Sequence, residues 1–191
     1  AHPGLSGALF SWQTRQEKKR ERKTDKGAQI NITLKINYHL LIINYKNMAI
    51  IRELLGKTPH LGENTFVAET AVIIGDVTMG KDCSIWYNAV LRGDVHFIKM
   101  GDKVNVQDNA MIHCTYQKSP TTIGNNVSIG HNAIVHGCKI KDNVLIGMGA
   151  IVMDDCIVES NSIVAAGAVV TANTHIKEGE IWAGVPAKKV K

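Results

Sequence analysis

The sequence predicts an all-β fold, a solenoid of about six coils built from short strands, and three observations predict it. From Leu61 onward a large aliphatic residue recurs every six positions. A small residue or a valine fills the fifth place of most hexads, and glycine, asparagine and aspartate crowd the steps between. A period of six fits neither the 3.6-residue helix nor the simple alternation of a strand. Three short strands joined by three corners make a coil of about eighteen residues, and such coils stack so that each covers its neighbour.

Taken in chain order, residues 1–47 stand apart. A polar stretch containing "KKRERK" gives way to "INITLKINYHLLIINYKN", rich in Ile, Asn and Lys. That composition resembles translated AT-rich sequence ahead of a start codon, and Met48 opens a natural beginning, "MAIIRELLG". Residues 1–47 are therefore expected to be a non-native or disordered leader, and residues 48–191 the folded domain with a C-terminal tail.

The repeat opens with first positions Leu61, Val67, Ile73, Met79, Ile85 and Leu91. The matching fifth positions are Thr65, Ala71, Val77, Cys83, Ala89 and Val95. The aliphatic is expected to point inward and the small residue to sit where the wall bends. The phase slips after Phe97 and resumes at Met100, Val106 and Ile112. After a longer interruption it returns at Ile123, Ile129 and Val135, takes one five-residue step to Ile140, and continues through Ile146, Val152, Val158 and Val164. Gly75, Gly80, Gly93, Gly101, Gly124, Gly130, Gly147 and Gly167 are expected at corners of positive φ.

Charge excludes one class of partner. Residues 1–47 hold nine Lys and Arg against Glu17, Glu21 and Asp25, so residues 48–191 of this +5 chain carry about −1. The predicted domain has no basic surplus for nucleic acid. No stretch approaches the ~20 apolar residues of a membrane span, and "LLIINY" is far shorter. Cys83, Cys114, Cys138 and Cys156 show neither CxxC pairing nor a disulfide framework, which fits a reducing cytoplasmic setting. All four read as core or wall residues.

Among eight histidines, His60, His96 and His175 stand near turns or ends, where a solvated role is the plain reading. His113 and His136 each follow a first-position aliphatic, Ile112 and Val135, and so fall at equivalent corners of adjacent coils. His131, two past Ile129, falls one corner away. Two imidazoles at one corner and a third round the prism suggest an ion held between subunits of a symmetric trimer. Three neutral imidazoles leave a fourth tetrahedral position open, as catalytic zinc requires. The bland alternative is three polar residues on an outer wall.

The phrases "LRGDVHFIKMGDKVNVQDNAMIHC" and "IGHNAIVHGC" carry more than the repeat does. They resemble the gamma-class carbonic anhydrases, hexapeptide-repeat proteins that fold as a left-handed parallel β-helix, against the usual right-handed crossover. The resemblance runs from Leu61 to Lys191. It implies a homotrimer with Zn²⁺ (Fe²⁺ or Co²⁺ being alternatives) held by His113 and His136 of one subunit and His131 of the next. It implies a lyase that reversibly hydrates CO₂ to bicarbonate by a metal-bound hydroxide. Arg92 and Asp94 match an interface ion pair, Asp108 the acid that helps fix that arginine, and Gln107 the amide facing metal-bound solvent.

The sequence departs from the most active members of that family. Neither "VHFIKM" after Asp94 nor "CTYQKSPTT" after His113 holds a carboxylate, so weak turnover is expected, with Tyr116 or His96 as a stand-in proton relay. The chain also ends at "GVPAKKVK", short of a further helix the resemblance implies, as a truncated chain would. Two other readings share the scaffold: an acyl-CoA transferase or thioesterase with one histidine as base, and a metal-holding protein without turnover.

Overall fold

The computed structural model describes residues 49–191. The leader assigned to residues 1–47 lies outside the described residues. Within them every regular element is a strand, nineteen in all, and no helix is long and apolar enough to cross a membrane. The coil is a parallel, left-handed β-solenoid of about seven turns. The extra turn over the expected six comes from Ile50–Arg52, ahead of the hexads, and from the end beyond residue 170.

Three walls follow one another in each turn. The first stacks Ile50–Arg52, the start of Val72–Met79, the start of Val90–Met100, Met111–His113, Ile134–His136, Ile151–Val152 and Val169–Val170, all parallel. The second stacks the ends of the two long strands on Thr121–Ile123, Lys139–Ile140, Ile157–Val158 and His175–Ile176. The third runs from Phe66–Val67 through Ser84–Ile85, Asn105–Val106, Ser128–Ile129, Leu145–Ile146 and Ile163–Val164 to Ile181–Ala183. There Lys188–Lys189 folds back antiparallel and covers the edge.

The hexad positions explain the core. First-position residues Ile73, Ile85, Leu91, Ile112, Ile129, Ile146 and Val158 are fully buried, and Ala71, Ala89, Ala133 and Ala168 sit at the bends with almost no exposure. All four cysteines are buried free thiols, so the expectation that they are core or wall residues holds. Burial pushes the Cys138 thiol far above its ordinary value, which leaves it an inert apolar residue.

Two expectations need correction. The fifth seat opposite Val77 belongs to Ile98, not Val95: the ladder slips between Gly75 and Val77, and residues 94–97 bulge out of the wall. Ile98 is fully buried while Val95 only packs against the core from its edge. The second correction concerns the corners. Positive φ falls mainly on fourth-position residues such as Asn126, Asn143 and Asn161, whose amides also hydrogen-bond from coil to coil. Of the eight glycines, Gly75 and Gly167 have positive φ. The others serve close approach: a Cβ on Gly130 would lie 2.6 Å from the backbone nitrogen of Met148 in the next coil.

Candidate metal centre

Two side-chain clusters lie at the two edges of the first wall. The first occupies the corner toward the second wall. Parallel pairing sets His113 directly beside His136, with ring centroids 5.1 Å apart. His113 Nδ1 lies 3.1 Å from His136 Nε2. Asp94, one coil before His113, accepts from its Nε2 at 2.9 Å. Asp154, one coil after His136, accepts from its Nδ1 at 2.7 Å.

Arg92 belongs to this corner. Residues two apart on a strand share a face, so the Arg92 guanidinium reaches its own Asp94 at 2.6 Å and donates toward His113 Nδ1 at 3.4 Å. Within this chain Arg92 thus pairs with Asp94. Burial alone would raise the Asp94 carboxyl, yet the hydrogen bonds from His113 and Arg92 and the Arg92 charge hold it below its ordinary range. Burial pushes His113 down, against the opposing Asp94 hydrogen bond, and so favours a neutral imidazole.

The second cluster lies at the corner between the third and first walls. His131 Nδ1 sits 2.9 Å from Asp108 Oδ2, one coil earlier. Within the chain Asp108 thus takes His131, not Arg92, as its partner. Gln107 Oε1 accepts from the His131 backbone N–H at 3.2 Å. Beside them runs an open, largely apolar groove of about 440 Å³ lined by Gln107, His131, Leu145, Met148 and Ile163. The His131 side chain is 45 % exposed against 14 % for His113, so it is open to a neighbouring molecule.

The structure thus brings Arg92, Asp94, His113 and His136 together, and separately Gln107, Asp108 and His131. Among the described residues no three His, Cys, Asp or Glu side chains of one chain gather to hold an ion. The donor chemistry nevertheless suits a divalent metal. Each imidazole has one nitrogen held by an aspartate, which fixes its proton there and leaves a lone pair on the other. At the first corner two such lone pairs face each other across 3.1 Å, an arrangement that a shared cation relieves.

Sequence reading missed Asp154. The signal was available as coil arithmetic: the five-residue step shortens this coil to seventeen residues, so Val152 pairs with Val135 and Asp154 falls one place further along its hexad than His136. Thr121 was missed too; fully buried, its hydroxyl donates to the His113 carbonyl at 2.5 Å and pins that residue's backbone.

Comparison with known proteins agrees with the fold. The bacterial transferase hexapeptide (six repeats) family matches residues 58–93 and 137–172, and the hexapeptide repeat of succinyl-transferase matches residues 120–153. The chain is 47 % identical over 137 residues to "Gamma carbonic anhydrase 2, mitochondrial" of Arabidopsis thaliana, covering 69 % of this chain and 49 % of that one. It spans about half the length of the Arabidopsis relatives it matches. Protein YrdA of Escherichia coli is 36 % identical over 139 residues, covering 70 % of this chain and 76 % of YrdA. A crystal structure of a hexapeptide transferase family protein from Anaplasma phagocytophilum superposes with a TM-score of 0.71 at 44 % identity, covering 74 % of this chain and 83 % of that one. The chain belongs to the gamma-class carbonic anhydrase family of hexapeptide-repeat proteins.

Proposed function

We propose that the protein is a metal-dependent lyase that interconverts CO₂ and bicarbonate at a site shared between two copies of the chain in a homotrimer. The observation that carries this reading is that His113, His131 and His136 each have one ring nitrogen anchored by an aspartate. His113 and His136 of one chain with His131 of its neighbour would hold the ion, for which zinc suits a three-imidazole set. When bound, such an ion lowers the pKa of water from ~15.7 to about 7 and so supplies a nucleophile at neutral pH.

The chain's own residues do the rest. Asp94, Asp108 and Asp154 keep protons on the outer ring nitrogens so that the inner ones remain donors to metal. Arg92 holds Asp94 ionised. Gln107 hydrogen-bonds the His131 backbone through its oxygen, which leaves its NH₂ to bind an oxygen of the product. The apolar groove beside His131 suits a small uncharged substrate. The bulge carrying His96 and the exposed Tyr116 offer side chains that could relay protons in place of loop carboxylates. Four unpaired buried thiols favour a reducing compartment such as the cytoplasm.

An acyltransferase base needs one histidine, and three carboxylate-anchored imidazoles exceed that need. The discriminating experiment mixes two variants. His131→Ala and His113→Ala chains should each fail to bind zinc alone. Mixed before reassembly, they should recover zinc binding and CO₂ hydration in stopped flow, because some contacts pair an intact His131 with an intact His113. Mixtures that never regain zinc would reject the shared site; zinc binding without hydration would leave a metal-holding protein.

A further inference from the structure

The family reading leaves the short loop after His113 without a task, because it carries no carboxylate. We infer that this loop is a clip that positions Asp154, and through Asp154 sets the tautomer of His136 and the metal affinity of the site; the affinity part rests on the function proposed above. Asp154 Oδ1 is the point of convergence. It accepts from His136 Nδ1 at 2.7 Å and from the Thr115 hydroxyl at 2.9 Å.

The loop is itself tied down. Thr115 and Ser119 form an antiparallel bridge that closes it. Ser119, 2 % exposed, donates to Asp155 Oδ1 at 2.7 Å, and Lys118 Nζ lies 3.5 Å from Asp155 Oδ2. The Gln117 N–H reaches the Val95 carbonyl in the bulge at 3.2 Å. The two residues 154 and 155 are therefore held from one side by two hydroxyls and an ammonium group of a single loop. From the other side the Asn173 N–H binds the Asp154 carbonyl at 3.0 Å.

Gly137 is the second independent observation. A side chain there would overlap Asp154 Oδ1, so the absence of a Cβ beside His136 is what lets the carboxylate approach. Both the donor side and the steric side thus converge on one oxygen. With that oxygen accepting, His136 carries its proton on Nδ1 and presents the Nε2 lone pair toward His113. The loop acts on the ring through Asp154 and touches no substrate, so Asp154 and Thr115 are positioning residues.

Two readouts test this on the full chain. Nitrogen-15 NMR of the metal-free wild type should show His136 as the Nδ1–H tautomer, and Asp154→Ala should lose that signature. Zinc affinity, read by competition with a chromophoric chelator, should fall about 10–100-fold in Asp154→Ala. Asp154→Asn, which keeps an oxygen acceptor, should recover most of the loss, and Thr115→Val should weaken zinc in the same direction by less. A wild-type Nε2–H tautomer overturns the inference, as does unchanged zinc affinity in a folded Asp154→Ala or Thr115→Val protein. A wild type that takes up no zinc defeats the proposed function, while the tautomer still decides the role of Asp154.

Discussion

The stack from Ile123 to Ile176 and the corner built by residues 92–97 and 113–121 obey different rules. In the stack the hexad runs with a single five-residue step, and each first-position residue is buried, none more than 4 % exposed. Its strands are two or three residues long, and its corners repeat one solution, an asparagine, aspartate or glycine at positive φ. At the interrupted corner the ladder slips, an eleven-residue strand carries a bulge, and residues 92–97 other than Gly93 are half-buried. Arg92, Asp94, His113, Thr115 and Ser119 all belong to these interruptions. The regular stack supplies His131, His136 and Asp154 at its half-buried corners. The interruption adds Arg92, Asp94 and His113 beside them in a partly dry environment open on one side.

That contrast can be broken by experiment, and the largest effect is expected in the stack. Ile146→Ala removes a fully buried side chain. It should cost about 2–5 kcal/mol of unfolding free energy while the folded fraction binds zinc with unchanged affinity. Denaturant unfolding with metal analysis checks this, and a loss of zinc from folded protein would mean that coil and corner are not separable. The opposite signature is expected at the corner. Asp94→Ala should weaken zinc by about 10–100-fold, or about 1.4–2.8 kcal/mol, and move the thermal midpoint less than Ile146→Ala does. A thermal loss larger than that of Ile146→Ala would make Asp94 primarily a structural residue.

The smallest effect is expected where the stack ends. Glu180 accepts from the Trp182 indole at 2.8 Å and pairs with Lys189 at 2.9 Å, so the lysine and then the indole hold its carboxyl down at about 2. Its folded-state pKa lies below the unfolded one, so its stabilisation is present above the ordinary carboxylate value and is lost as pH falls toward 2. Thermal midpoints of wild type and Glu180→Gln should therefore differ at neutral pH and converge in acid. Zinc affinity at neutral pH should be the same in both. A gap that persists at pH 2 would show that the Glu180 charge is not what fastens the terminal hairpin.

Legibility in the sequence followed the same division. Hexad phase located the buried aliphatics of the stack directly, because a period of six admits one inward direction per wall. It also placed His113 beside His136, since both follow a buried first-position residue in adjacent coils. The phase failed at Val95, where the bulge passes the inward seat to Ile98, and no local signal separates two β-branched residues three apart. It failed again at the glycines, because steric need between coils depends on backbone from a neighbouring turn. Asp154 escaped for a related reason: its partners His136 and Thr115 lie 18 and 39 residues away.

By itself the sequence determined the all-β solenoid, the inward faces of its walls and the corners at which three imidazoles stand, because those follow from the spacing of one residue to the next. Only the tertiary structure decided which carboxylate holds which ring, that Arg92 reaches Asp94 of its own chain, and that a seven-residue loop reaches Asp154 and Asp155. Hydrogen bonds are made between atoms a few ångströms apart whatever their separation along the chain. A periodic pattern fixes direction; the stacking of coils across an interruption fixes the partner.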